Sequence, residues 1–212
     1  MPISDGSGHP GQGLSRRSFL RASALTAAGV TVIEAASAII GQAEAAERSG
    51  QPVVGPEPVP ITLKINGATR TLQVEPRMTL AEALRGILGL TGTKIACNRG
   101  ACSACTVWID GVTVCSCMML AIEVGTRSVT TIEGLANNGQ LHPVQAAFIE
   151  HDALQCGFCT PGMVMSCAAL LERTPDPTAE DVQGAINGHF CRCGTYPHVI
   201  AATLAAAKAR KA

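Results

Sequence analysis

The chain has 212 residues, 47 % of them hydrophobic but only 3 % aromatic, with 22 glycines and 10 cysteines. Lysine plus arginine equals aspartate plus glutamate at 16 each, with no basic block beyond the last few residues, which argues against nucleic acid as a partner. Cores built from Val, Ile, Leu, Met and Ala without aromatic bulk are thin, so small domains of this kind need anchoring, and the cysteines are the obvious supply.

Ser15-Arg16-Arg17-Ser18-Phe19-Leu20 opens a mostly apolar stretch from Ala22 to Ile40, followed by the small residues Ala43 and Ala45 around Glu44. A charged start, an apolar middle and a small-residue end predict a cleavable signal over 1–45, and the paired arginines resemble a twin-arginine signal. That route exports folded proteins, so the expected destination is the periplasm. Glu34 and scattered Ser, Thr and Gly argue against a stable membrane span, and no later stretch is long and apolar enough to cross a bilayer. Gln51 to Pro60, with Pro52, Pro56, Pro58 and Pro60, reads as stiff and extended; the linker is assigned to 46–58.

A first folded domain is predicted over 59–134. Ile61 to Ile65 and Thr69 to Val74 alternate apolar and polar residues around Asn66-Gly67, a strong hairpin signal. Thr79 and Glu82 have capping-box spacing ahead of a helical stripe, Leu80, Ala83, Leu84, Ile87 and Leu88, closed by Gly89. After a cysteine loop come Thr106 to Ile109, an Asp110-Gly111 turn, a return strand through Val114, and a last strand at Val129 to Ile132. Hairpin, helix, loop, hairpin is the order of a β-grasp domain.

The loop carries Cys97, Cys102 and Cys105 as C-x4-C-x2-C, the spacing of plant-type [2Fe–2S] ferredoxins. Gly100, Ala101, Ser103 and Ala104 suit a loop whose backbone N–H groups face cluster sulfur. A zinc site would pair C-x2–4-C with a second such pair, and the spacing here lacks that symmetry. Disulfides are the other alternative, but these three thiols, followed by Cys115 and Cys117, would be crowded for unstrained bridges. No histidine sits in Rieske-like spacing, so an all-cysteine cluster is the better reading. Spacing alone leaves Cys115 and Cys117 both open as the fourth ligand.

From 135 to 212 the β alternation stops. Helices are predicted from Pro143 to Asp152, with Val144, Ala147, Phe148 and His151 on one side, from Pro161 to Arg173, from Ala179 to Ile186 behind a Thr178–Asp181 cap, and from Pro197 to Lys211. Between them lie Cys156-Gly157-Phe158-Cys159 and Cys191-Arg192-Cys193, four thiols from two short loops. Each is followed by Thr and then Pro, Thr160-Pro161 and Thr195-Tyr196-Pro197, with Thr as N-cap and the helix dipoles converging on an anionic site. The repetition predicts a four-helix unit of approximate two-fold symmetry with the ligands at its centre. Met118, Met119, Met163, Met165 and Cys167 read as core filler, and His142, His151, His189 and His198 as caps or surface residues. Arg192 could stabilise cluster charge or pair with a carboxylate.

Taken together these motifs resemble the small iron–sulfur subunit of the molybdenum hydroxylases, the xanthine dehydrogenase and aldehyde oxidoreductase family. The residues that carry the resemblance run from Cys97 through Cys102, Cys105, Asp110-Gly111 and Cys117 to Thr131-Ile132-Glu133-Gly134-Leu135. They continue through Gln155-Cys156-Gly157-Phe158-Cys159-Thr160-Pro161-Gly162 and Asn187-Gly188 to Cys191-Arg192-Cys193-Gly194. With the leader, the chain is similar to the corresponding subunit of bacterial periplasmic aldehyde oxidoreductases. The resemblance implies an α+β fold, a β-grasp ferredoxin domain followed by a four-helix domain. It implies two [2Fe–2S] clusters, one on Cys97, Cys102, Cys105 and Cys117 and one on Cys156, Cys159, Cys191 and Cys193. Cys115 is then a small strand residue. It further implies a large partner subunit holding a molybdopterin cofactor, in the cytosine dinucleotide form, with Gln155 and Cys193 near it. Electrons would leave toward an FAD subunit or a cytochrome acceptor. No residue of this chain is expected to touch the aldehyde or N-heterocyclic substrate. Ser103 departs from the glycine usual after the second cysteine. A free-standing soluble ferredoxin is the competing reading, but it needs no helical cluster domain, and the acidic excess expected of many ferredoxins is missing.

Overall fold

The computed structural model describes residues 55–210; the predicted signal and most of the linker lie outside the described residues. The chain first forms a hairpin, β1 (Val59–Ile65) and β2 (Ala68–Val74), paired antiparallel from Val59 with Val74 to Ile65 with Ala68. Its turn is Asn66-Gly67, both with positive φ (50° and 80°), the backbone that a tight hairpin demands and that these two residues tolerate. Alternation sends Leu63, Ile65, Leu72 and Val74 into the core. A second hairpin, β3 (Thr106–Ile109) and β4 (Val112–Cys115), turns at Asp110-Gly111 in the same way. Strand β5 (Ser128–Thr130) joins the two, parallel to β1 and antiparallel to β3, giving the order β2-β1-β5-β3-β4. The chain then leaves the sheet, and Ile132–Gly134 is a 3-10 turn where the sequence suggested a continuing strand. Asn66 ties this exit to the first turn by accepting from Thr131 N–H (2.9 Å) and donating to Thr131 Oγ1 (3.0 Å).

Across the sheet lies α1 (Leu80–Glu82), started by the Thr79–Glu82 capping box and widened into a π-helical turn over Ala83–Ile87 before Gly89 ends it with φ of 68°. Leu80, Ala83 and Leu84 close the sheet's apolar core with Val107, Ile109, Val124 and Val129.

The second half is helical. Helix α2 (Pro143–Glu150) begins at His142, whose Nδ1 accepts from Val144 N–H (3.2 Å), and it stops before the predicted Asp152, which sits at φ 49°. Then come α3 (Thr160–Arg173), α4 (Ala179–Ala185), capped by Thr178 and Asp181 as expected, and α5 (Tyr196–Ala209). Val144, Phe148, Met163, Leu171, Val182 and Val199 form their core, and Ala202 and Ala206 let α5 approach its neighbours closely. The Thr–Pro starts follow expectation in part, with Pro in the first turn of both helices. At α3 the cap position belongs to Cys159, with Thr160 already helical, and at α5 Thr195 occupies the cap position without a side-chain capping bond.

Two further readings are corrected. Met118 is 64 % exposed and not core filler, whereas Met163, Met165 and Cys167 are fully buried. His189 is 5 % exposed, neither a cap nor a surface residue, because Ser166 Oγ lies 2.8 Å from its Nε2 and compensates part of the cost of burying the ring. No helix among the described residues is long and apolar enough to cross a membrane.

The described residues belong to one compact unit, and α3 is what joins the sheet to the helices. Trp108 on β3 donates its indole N–H to Met165 C=O (2.9 Å) and packs its ring against the helical core. Gly162, on the first turn of α3, meets the loop before β3 so closely that a Cβ there would lie 2.4 Å from Ser103 C=O. The obstruction is backbone, which cannot rotate aside. Gly162→Ala is therefore expected to cost about 1–3 kcal/mol, read as a lowered urea midpoint with an unchanged slope.

Candidate metal centre

The loop between α1 and β3 is shaped by three left-handed residues, Asn98 (φ 50°), Gly100 (71°) and Ser103 (56°). Such turns point successive backbone N–H groups inward. Arg99 and Ala101 direct theirs at Cys97 Sγ (3.5 and 3.3 Å), and Gly100 directs its own at Cys117 Sγ (3.3 Å). Cys105 and Cys117 are buried against Ala81, with Ile95 and Cys115 around them. The two strand ends are clamped by Ser116, whose hydroxyl donates to Cys105 C=O at 2.7 Å. The structure thus brings Cys97, Cys102, Cys105 and Cys117 together, and Cys115 with them.

Local chemistry separates these thiols. The Arg99 N–H and then Cys102 bring Cys97 down to about 7. Burial pushes Cys117 up to about 11 despite the Gly100 N–H. Cys105 is raised, first by its hydrogen bond with Cys115 and then by burial, while the same bond brings Cys115 down to about 7. Cys115 Sγ faces Ser103 Oγ and Gly100 C=O, each at 3.9 Å, where Cys117 Sγ faces an N–H. A carbonyl repels a thiolate and an N–H attracts one, so of these two sulfurs it is Cys117 that has a backbone donor.

The second set lies at two helix starts. Cys159 occupies the cap position of α3, and Cys191 Sγ accepts from the N–H of Thr195, the cap residue of α5 (3.5 Å). Cys159 lies near enough to Cys191 and Cys156 for both to act on its thiol, and the Cys193 N–H acts on the Cys191 sulfur. Burial, then Cys191, pushes Cys159 up to about 12. At Cys191 burial is again the largest influence and raises the thiol, yet the Thr195 hydroxyl and N–H, together with Cys159 and the Cys193 N–H, outweigh it and bring the group to about 7. Gln155 and Cys156 are exposed at the outer edge of this set.

These residues fit two-iron clusters. All ten cysteines are free thiols, and backbone N–H groups stand ready at sulfurs that would carry negative charge. Among the described residues no three His, Cys, Asp or Glu side chains are grouped around a single-ion position; a [2Fe–2S] centre instead spreads four thiolates over two irons.

Sequence reasoning missed Tyr196. Its hydroxyl accepts from Cys191 N–H (2.8 Å) and donates to His189 C=O (2.9 Å), so one side chain clamps both ends of the 189–191 segment. The available signal was its place as the sole tyrosine, three residues beyond the Cys-x-Cys pair.

Two families of known domains match this chain: a 2Fe-2S iron-sulfur cluster binding domain over residues 63–132 and a [2Fe-2S] binding domain over 131–204. The chain is 40 % identical over 204 residues to the aldehyde oxidoreductase iron-sulfur-binding subunit PaoA of Escherichia coli O157:H7, covering 89 % of this chain and 86 % of that one. It is 47 % identical over 146 residues to the nicotine 6-hydroxylase small subunit of Paenarthrobacter nicotinovorans, covering 69 % and 88 %. Among solved structures, quinoline 2-oxidoreductase from Pseudomonas putida 86 superposes with a TM-score of 0.70 at 43 % identity, over 73 % of this chain and 97 % of that one. An α+β chain with a ferredoxin-like sheet domain and a second [2Fe–2S]-binding region defines an iron–sulfur electron carrier. The chain belongs to the small iron–sulfur subunits of the molybdenum hydroxylases, and as such is a subunit of an oxidoreductase.

Replacing Tyr196 by Phe leaves Cys191 N–H and His189 C=O without their partner and is expected to cost about 1–3 kcal/mol, measurable by urea unfolding. Ser103→Gly relieves a left-handed backbone and gives up only a 3.9 Å sulfur contact; a gain of about 1 kcal/mol is expected, seen as a raised melting temperature.

Proposed function

We propose that this chain conducts electrons out of a molybdenum-bearing partner through two [2Fe–2S] clusters, one held by Cys97, Cys102, Cys105 and Cys117, the other by Cys156, Cys159, Cys191 and Cys193. The observation that carries this reading is a single hydrogen bond: Phe190 N–H donates to Cys102 C=O at 3.2 Å. Phe190 is bonded directly to Cys191. The backbone of one ligand set therefore meets the backbone of the other through one hydrogen bond, and covalent and hydrogen bonds couple redox centres better than empty space does. When bound, each cluster takes up and gives back one electron. The protein's share is to hold the two thiol sets at this separation and keep water from between them.

The exposed surfaces support this direction. Around the second set, exposed Leu154 and Phe158 (46 % exposed) flank the exposed Gln155 and Cys156 in the chain, and Phe190 (69 %), exposed too, directly precedes Cys191. Such groups suit burial against a large subunit whose molybdopterin, in the cytosine dinucleotide form, delivers electrons past Gln155 and Cys193. Beside the first set, Met118 next to Cys117 is exposed and suits contact with an FAD subunit or a cytochrome. Relatives named for aldehyde and nicotine oxidation support a large subunit acting on aldehydes or N-heterocycles. Residues 59–134 and 135–212 act as a β-grasp domain and a four-helix domain, and residues 1–45 as a twin-arginine signal delivering the assembled protein to the periplasm.

Metal analysis and low-temperature EPR of the reduced protein are expected to give about four irons and two distinct [2Fe–2S] signals per chain. Cys117→Ser should abolish one signal and Cys115→Ser should keep both; zinc in place of iron, or the reverse serine result, would overturn the ligand assignment. Isolation from native cells as a lone monomer without molybdenum would overturn the partner.

A further inference from the structure

Thr195 stands where a threonine hydroxyl ordinarily accepts an N–H from the first turn of its helix. It makes no such bond. Its Oγ1 lies instead 3.2 Å from Cys191 Sγ, and its own N–H points at the same sulfur from 3.5 Å. Thr195 is 2 % exposed, so water does not compete for that sulfur from the threonine side. The sulfur is held in place relative to the hydroxyl, because Tyr196 takes the Cys191 N–H and fastens it to His189 C=O. An ionised Cys191 has no proton to give, so the hydroxyl must be the donor. The N–H donors to Cys97 and Cys117 are backbone groups, which no side-chain change removes. Cys191 differs in receiving a side-chain donor that substitution can delete.

We propose that the Thr195 hydroxyl sets the reduction potential of the second cluster by donating to the Cys191 thiolate. This rests on Cys191 being a ligand, as in the function proposed above. An added electron increases the negative charge on the ligand sulfurs, so a fixed donor stabilises the reduced form more than the oxidised one and raises the potential. A higher potential makes this cluster a readier acceptor of electrons arriving from the partner. Thr195 acts through a ligand sulfur and is a positioning residue.

The experiment is an EPR-monitored redox titration of wild-type protein, Thr195→Val, Thr195→Ala and Thr195→Ser. Wild type should show two signals. In Thr195→Val and Thr195→Ala the midpoint of one signal should fall while the other stays in place, and Thr195→Ser should keep both wild-type midpoints. Unchanged midpoints in iron-replete Thr195→Val would overturn the proposal, as would an equal fall in Thr195→Ser, which keeps the hydroxyl. Loss of the second cluster from the hydroxyl-free variants, with or without Thr195→Ser, would overturn it too, since the side chain would then be holding the loop and not tuning it. A wild-type protein without a second signal would instead refute the underlying cluster assignment.

Discussion

Two cysteine loops far apart in the chain must lie so close that the N–H of Phe190 reaches the carbonyl of Cys102, and much of the remaining structure serves that contact. Helix α3 is the spacer. Gly162 and Ser166 sit four residues apart on it, hence on one face. The first touches the loop of Cys102 through Ser103, and the second holds His189, the residue before Phe190. Trp108 keeps that face against the sheet by bonding to Met165 C=O between them. A larger residue at Gly162 would push one loop away, and loss of the buried Ser166–His189 pair would loosen the other.

The two thiol sets solve the same electrostatic problem with different means. Each must gather several anionic sulfurs in a partly buried place, which is costly unless donors face them. The first set uses a loop of left-handed residues that turns the N–H groups of Arg99, Gly100 and Ala101 toward Cys97 and Cys117. The second uses helix starts, with Cys159 itself at the head of α3 and the Thr195 N–H and hydroxyl on Cys191 at the head of α5. The dipoles of both helices add favourable potential there. Strained backbone is concentrated in the first solution, which is why Ser103 at φ 56° stands out where a glycine would rest without cost.

A good deal of this was legible in the residues. Asn66-Gly67 and Asp110-Gly111 marked both hairpins because few other pairs accept positive φ, and the Thr79–Glu82 and Thr178–Asp181 boxes marked two helix starts. Cysteine spacing singled out the thiols because ligands from one short loop must recur at short, regular intervals. Other features were not legible. The π-turn after Glu82 keeps an ordinary helical pattern in sequence, and the strand expected through Ile132 breaks off where Asn66, at the end of the neighbouring strand β1, captures Thr131.

The sequence by itself determined the local chemistry: which turns form, which helices begin at a capping box, and which cysteines share a loop, since each depends on residues within a few positions of one another. Only the tertiary structure decided what depends on residues far apart. It buried His189 against Ser166, left Met118 on the surface and gave Cys117 rather than Cys115 the Gly100 N–H. It turned the Thr195 hydroxyl from a helix cap to a sulfur, made Tyr196 a clamp, and joined the two cysteine loops through one backbone hydrogen bond. The reason is physical: a hydrogen bond is settled by which partner stands at about 3 Å, and for these groups folding brings that partner from elsewhere or moves the expected one away.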